Sequence, residues 1–172
     1  SGACVPHRDP AWRRDRIRSL APVPAARVAS GPDIDVIRAV GALSGRPASR
    51  WIQMARQVDD EVRLFWLEDP LPEQDIDGYR QLRAGVTTRI CTGEKGWTGD
   101  DFGRLIDSGA LDVIMLDPGK AEGVTGAWNV LRAASAAGLA WNAHSWSSAL
   151  NTAASLHPAA ASGHGPVMEF KP

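Results

Sequence analysis

The chain has 172 residues, enough for one domain with a real core but short of the about 250 that a complete eight-unit βα barrel needs. Apolar residues make up 44% and charged residues 23%, a soluble globular composition that excludes a wholly disordered chain. The formal net charge of −1 gives no electrostatic reason to expect nucleic acid or an anionic membrane as a partner.

Residues 1–60 read poorly. The stretch RDPAWRRDRIRSLAPVPAARVASGPDIDV is crowded with arginine and proline, and Pro22, Pro24 and Pro32 would break any long helix. Only DIDVI (33–37) reads as a strand and ASRWIQMARQVDDEV (48–62) as a helix, so this segment is expected to be degraded and partly disordered. No run of 18 apolar residues and no apolar signal core occur, which argues against membrane insertion and export. Cys4 and Cys91 lie far apart and fit no metal spacing, which points to a reduced, cytoplasmic setting.

Residues 61–172 read cleanly. After the strand-like EVRLFWLED, the spacing of Ile76, Tyr79 and Leu82 in DIDGYRQLRAG predicts a helix with one buried stripe. TTRICTGE is a strand, and TGDDFGRLIDSG a helix with Thr98 as N-cap and Gly109 as its stop. LDVIMLD is a near-continuous apolar strand, as expected where both faces are covered. GVTGAWNVLRAASAAG forms a helix ending at Gly138. LAWNAHS is a strand, SSALNTAASLHPAAAS a helix, and GPVMEF a last strand. The alternation implies a parallel sheet with right-handed crossovers.

Glu68, Glu94, Asp117, His144 and Glu169 each stand at or just past one of these strands, separated by 26, 23, 27 and 25 residues. A period of about 25 residues is one βα unit, and side chains at the carboxyl ends of successive parallel strands converge on one face. The spacing therefore predicts an active site. Taken singly the residues have plainer readings. Glu68 would be a surface salt-bridge partner, Asp117 would start a turn at Pro118-Gly119, and His144 would be a polar residue flanking a helix. Asp69 alternates away from Glu68 and precedes Pro70, which suits a turn. Lys95 and Lys120 lie near the predicted mouth, either to meet an anionic substrate or as solvated lysines. Trp66, Trp97, Trp128, Trp141 and Trp146 read as packing and loop aromatics, and His157 and His164 as structural.

From residue 64 onward the chain resembles the C-terminal barrel domain of the enolase superfamily, in its mandelate racemase/muconate lactonizing branch. The motifs that carry it are WLEDPLP (66–72), TGEKGW (92–97), LDPGKAEGVTGAW (116–128), NAHSWSSALNTAASLH (142–157) and MEF (168–170). The resemblance implies an α/β fold, a partial (β/α) TIM-type barrel in which strands four to eight are clear and the N-terminal part is degenerate. It implies Glu68 and Glu94 as the second and third carboxylate ligands of Mg2+. Asp117 and His144 would be the Asp-His dyad of the sixth and seventh strands, and Glu169 the last-strand group that hydrogen-bonds the substrate carboxylate. DIDVIRAVGALS (33–44) has the flanks of the family's VDANGA stretch without its Asp and Asn. No Lys-x-Lys motif and no capping domain are recognisable, which suggests a truncated or frame-disturbed relative.

The chemistry explains why these residue types belong together. A carbon acid next to a carboxylate is very weak, so its carbanion must be held as an enediolate whose second charge a hard dication neutralises. A histidine base beside magnesium is a known arrangement for enolase-type sites. A carboxylate partner would fix its tautomer and favour the imidazolium after proton capture, and a protonated Glu169 would donate to the oxyanion. The expected function is Mg-dependent proton abstraction α to a carboxylate. An acid-sugar dehydratase is favoured over a racemase, because the missing Lys-x-Lys leaves one base. The other reading is a catalytically inactive remnant that folds poorly or works only as an assembly partner, its open parallel edge inviting pairing or aggregation; a homo-oligomer is the expected assembly. A doubly wound hydrolase is disfavoured, since no G-x-S-x-G elbow or G-x-G-x-x-G loop occurs.

Overall fold

The computed structural model describes residues 37–38, 47–61, 64–162 and 168–169. The other expectations for the N-terminal segment, and His164, lie outside the described residues.

Five parallel strands pair in chain order: β1 (Ile37–Arg38), β2 (Leu67–Glu68), β3 (Ile90–Thr92), β4 (Val113–Leu116) and β5 (Ala140–Ala143). Helices α1 (Ala48–Glu61), α2 (Ile76–Gly85), α3 (Gly99–Asp107), α4 (Gly123–Ala136) and α5 (Ala149–Ser162) alternate with them. Consecutive neighbours, all parallel, are what successive right-handed βα units of a barrel wall produce. The registers run Arg38 to Glu68, Glu68 to Cys91, Thr92 to Ile114, and Leu116 to Ala143. The expected last strand contributes, among the described residues, a single parallel bridge from Met168 to Ala143.

Strand alternation sorts the apolar residues into two cores. Leu67, Ile90, Ile114, Leu116, Trp141 and Ala143 point outward and pack with Tyr79, Leu82, Phe102, Leu105, Val130 and Leu131 of the helices. Trp66, Cys91, Val113, Met115 and Ala140 point inward and fill the barrel interior. The polar rim residues continue this inward series, since Glu68 follows Trp66, Asp117 follows Met115, and His144 follows Ala140, each at an even spacing.

Local signals account for the helix limits. Thr98 caps α3 through a full capping box with Asp101, and the chain leaves this helix through Gly109 at φ 66°. Asp75 caps α2 by accepting from Gly78 N at 2.9 Å; Tyr79 and Leu82 are fully buried and Ile76 partly so. Burial also pushes the Tyr79 phenol far up, and its hydroxyl donates to Leu71 O at 2.6 Å. α4 stops at Ala136, with Gly138 turning the chain at φ 73°. Gly126 is forced, because a Cβ there would fall 2.1 Å from the Ala121 carbonyl oxygen.

At the amino ends of the strands Arg83 ties α2 to β4. Its Nε and Nη2 donate to Asp112 Oδ1 at 3.1 and 2.9 Å, and Nη1 donates to Gly109 O at 2.7 Å. Asp112 Oδ2 in turn accepts from Ile90 N at 3.0 Å, so the buried pair is satisfied on both sides. No helix among the described residues is long and apolar enough to cross a membrane.

Candidate active site

All five recurring residues stand at the carboxyl-end rim. Glu68 closes β2, Glu94 lies two residues past β3, Asp117 and His144 directly follow β4 and β5, and Glu169 follows the bridge residue Met168. His144 N donates to Leu116 O at 2.8 Å, continuing the β4–β5 ladder and setting the imidazole beside Asp117.

His144 is the centre of the cluster. Its Nδ1 lies 2.9 Å from Asp117 Oδ2, its Nε2 3.1 Å from Glu94 Oε2 and 3.6 Å from Glu169 Oε2. Burial alone would lower the His144 pKa, but the hydrogen bond to Asp117 and the charges of Glu169, Glu94 and Asp117 outweigh it and raise it above the ordinary value. Burial would likewise raise Asp117, yet bonds from His144 and Gly119 N hold it below the usual carboxylate value. The two directions agree: each partner favours the charged form of the other. Ser145 N donates to Glu169 Oε2 at 3.3 Å, fixing the fourth member from the β5 side.

The plainer readings of single residues now separate. Glu68 is 1% exposed, which rules out a surface ion-pair partner, and its Oε2 accepts from Trp66 Nε1 at 3.1 Å. Asp117 starts the turn as well, because Oδ1 accepts from Gly119 N at 2.8 Å while Oδ2 serves the histidine. Asp69 takes a left-handed turn at φ 45° and turns its carboxylate to Thr92 Oγ1 at 2.5 Å and Lys95 Nζ at 3.2 Å. Lys95 is thus a partner of Asp69. Lys120 reaches the site, donating from Nζ to the Glu94 carbonyl at 3.0 Å. Trp66 and Trp141 are buried packing residues, whereas Trp97, Trp128 and Trp146 are exposed, as is His157.

Glu68 and Glu94, on neighbouring strands, offer the hard oxygen donors that magnesium takes, and magnesium often uses only one or two protein carboxylates. Donor chemistry therefore fits that ion. Among the described residues, however, no group of three His, Cys, Asp or Glu side chains is close enough to enclose one. Glu94 is instead set against His144, and Glu68 against Trp66. Cys91, buried inside the barrel, stays a neutral thiol: burial and the charge of Glu68 push its pKa well up.

Two residues escaped the sequence reading. By sequence Trp66 reads as packing alone, although its indole also donates to Glu68. Asn151 reads as one more residue of an alanine-rich helix, yet it is buried against Gly119 and Asp117. A long polar side chain one turn into an otherwise small-residue helix was the available signal.

Comparison with known proteins agrees with this geometry. The family model described as enolase C-terminal domain-like matches residues 9–171. This chain belongs to the enolase superfamily. The branch is that of mandelate racemase and muconate lactonizing enzyme: a mandelate racemase/muconate lactonizing enzyme-like protein from Rubrobacter xylanophilus superposes with a TM-score of 0.67 at 31% identity, covering 72% of this chain and 31% of that one. The D-gluconate dehydratase of Thermoproteus tenax is 32% identical over 69% of this chain and 23% of its own length. The L-talarate/galactarate dehydratase of Salmonella typhimurium is 34% identical over 43% of this chain and 18% of its own. The chain thus spans less than a quarter of these curated relatives. The match also reaches back to residue 9, well before residue 64, where the sequence motifs begin.

Proposed function

We propose that the rim abstracts the proton α to a carboxylate and expels a β-hydroxyl as water, the reaction of an acid-sugar dehydratase. The observation that carries this reading is His144 with Nδ1 held by Asp117 at 2.9 Å, which leaves Nε2 as the proton-exchanging nitrogen facing Glu94 and Glu169. The identity to dehydratases of D-gluconate and of L-talarate/galactarate supports a sugar acid as the substrate class.

In this reading neutral His144 Nε2 takes the α-proton, and the C–H electron pair becomes the carbon–carbon double bond of the enediolate. The β-carbon–oxygen bond then breaks, its electron pair leaves with oxygen, and Nε2 returns the proton to give water. The enol left behind tautomerises to a 2-keto acid. Asp117 holds the ring and stabilises the imidazolium between the two transfers. Glu169 takes the hydrogen-bonding place against the substrate carboxyl group. Magnesium, held by Glu68 and Glu94, would supply the positive charge that the enediolate requires. Lys120, bonded to the Glu94 carbonyl, steadies that loop and brings a cation to the mouth. A cytoplasmic setting and a homo-oligomeric state belong to the same proposal.

A second reading, an inactive chain working only as an assembly partner, is favoured by the sequence DIDVIRAVGALS (33–44), which lacks the Asp and Asn of the family's VDANGA stretch. Incubation with magnesium and D-gluconate, L-talarate and galactarate, followed by 2-keto acid detection, decides between them. Keto acid formed from any of the three supports the dehydratase; folded protein that forms none supports the assembly partner.

A further inference from the structure

Asp117 must keep Oδ2 on His144, and a carboxylate can rotate about its last bond unless its other oxygen is also held. That other oxygen, Oδ1, accepts from Gly119 N at 2.8 Å. The same N–H donates to Asn151 Oδ1 at 2.9 Å, from a helix more than thirty positions later in the chain. The packing at Gly119 is tight, since a Cβ there would lie 3.0 Å from Asp117 Oδ1 and 3.1 Å from Asn151 Oδ1. Asn151 is 6% exposed, and its own N–H donates to Ser148 Oγ at 3.2 Å, so it is anchored in the first turn of α5. The next residue braces the opposite flank: Thr152 Oγ1 lies 2.7 Å from Ser145 Oγ, and Ser145 N holds Glu169.

We propose that Asn151 is a positioning residue: by clamping the Gly119 amide it fixes the rotamer of Asp117, and through Asp117 the Nδ1-protonated tautomer of His144. Its consequence for rate rests on the proton abstraction proposed above; its effect on the histidine does not. The Asn151 amide also helps to keep Asp117 ionised, although its Nδ2 finds no hydrogen bond of standard geometry. The clamp through Oδ1 is therefore the contact that matters. A free imidazole prefers its proton on Nε2, so holding it on Nδ1 requires a carboxylate that stays put.

The test is nitrogen-15 NMR of the His144 ring, without metal, at a pH where the ring is neutral, in a Glu94→Gln background that removes the carboxylate 3.1 Å from Nε2. With Asn151 in place this protein should show Nδ1 protonated and Nε2 bare. Asn151→Leu, similar in volume but unable to accept, should move the proton toward Nε2. If Asn151→Leu does not fold by circular dichroism, Asn151→Ser, too short to reach Gly119, is read in its place. Where the wild type exchanges the α-proton of a sugar acid, the same loss should lower kcat by about 10- to 100-fold with KM little changed. An unaltered tautomer in a folded Asn151→Leu or Asn151→Ser protein overturns the proposal. A changed tautomer in a protein that never exchanges α-protons removes the dehydratase reading and leaves this one standing.

Discussion

The two ends of the barrel wall use buried charge in opposite ways. At the amino ends, Arg83 and Asp112 meet with both side chains almost fully enclosed, and backbone groups of Gly109 and Ile90 take their remaining capacity. At the carboxyl ends, three carboxylates gather within 3.6 Å of one imidazole. The first arrangement closes on itself and holds α2 to the sheet. The second leaves several carboxylates around one titratable ring, with His144 as their shared partner. A closed structural pair at one end and an open titratable cluster at the other is the division expected of parallel βα folds.

The largest effect separating the ends should come from His144. His144→Asn removes the proposed base and should cut α-proton exchange by about 10²- to 10⁴-fold while moving the unfolding midpoint far less than loss of the amino-end pair; equal exchange in wild type and variant would break the comparison. Asp112→Ala should do the reverse. Stranding the buried Arg83 should cost about 3–5 kcal/mol in urea unfolding. The amino-end pair is structurally idle if the midpoint does not move.

Magnesium gives the next effect. At ten times its dissociation constant it should stabilise the wild type by about 1.4 kcal/mol. Glu68→Gln should abolish that thermal shift, and a shift surviving in the variant would place the cation elsewhere. The pH dependence follows from the directions at His144 and Asp117. His144 is raised above 6.5, so its contribution is complete below that value and is lost as pH rises through the folded pKa. Asp117 is lowered below 3.8, so its contribution is complete above that value and is lost as pH falls through the folded pKa. Metal-free protein should therefore gain most from this pair between pH 3.8 and 6.5; Asp117→Asn should flatten the profile on both sides.

The smallest effect is local. Glu122 holds a left-handed φ of 55° ahead of Gly123, a conformation that costs an ordinary residue about 1 kcal/mol. Its Oε2 recovers part of this from Gly99 N at 3.3 Å. Glu122→Gly should stabilise by about 0.5 kcal/mol, measured by thermal unfolding.

Much of this was legible in the chain because the local signals agree with one another. The Thr98 capping box, the Gly109 and Gly138 stops and the apolar run before Asp117 each determine an element without tertiary help. The period of polar residues after those runs located the rim, since strand-end placement follows from counting. What counting could not give was the pairing within the rim. That Glu94 faces His144, and that Trp66 donates to Glu68, depends on side-chain directions across neighbouring strands. Asn151 was invisible for the same reason: its partner lies at Gly119, and only the packing of α5 beside the loop after β4 brings them together. Before residue 61 the arginine- and proline-rich composition masks a relationship that the family model follows back to residue 9.

The most direct measurement is solvent deuterium uptake at the α-carbon of a sugar acid, followed by proton NMR with magnesium present. Uptake by the wild type that disappears in His144→Asn is the predicted result. A folded, magnesium-bound protein that leaves the α-proton of every acid offered untouched would contradict the account.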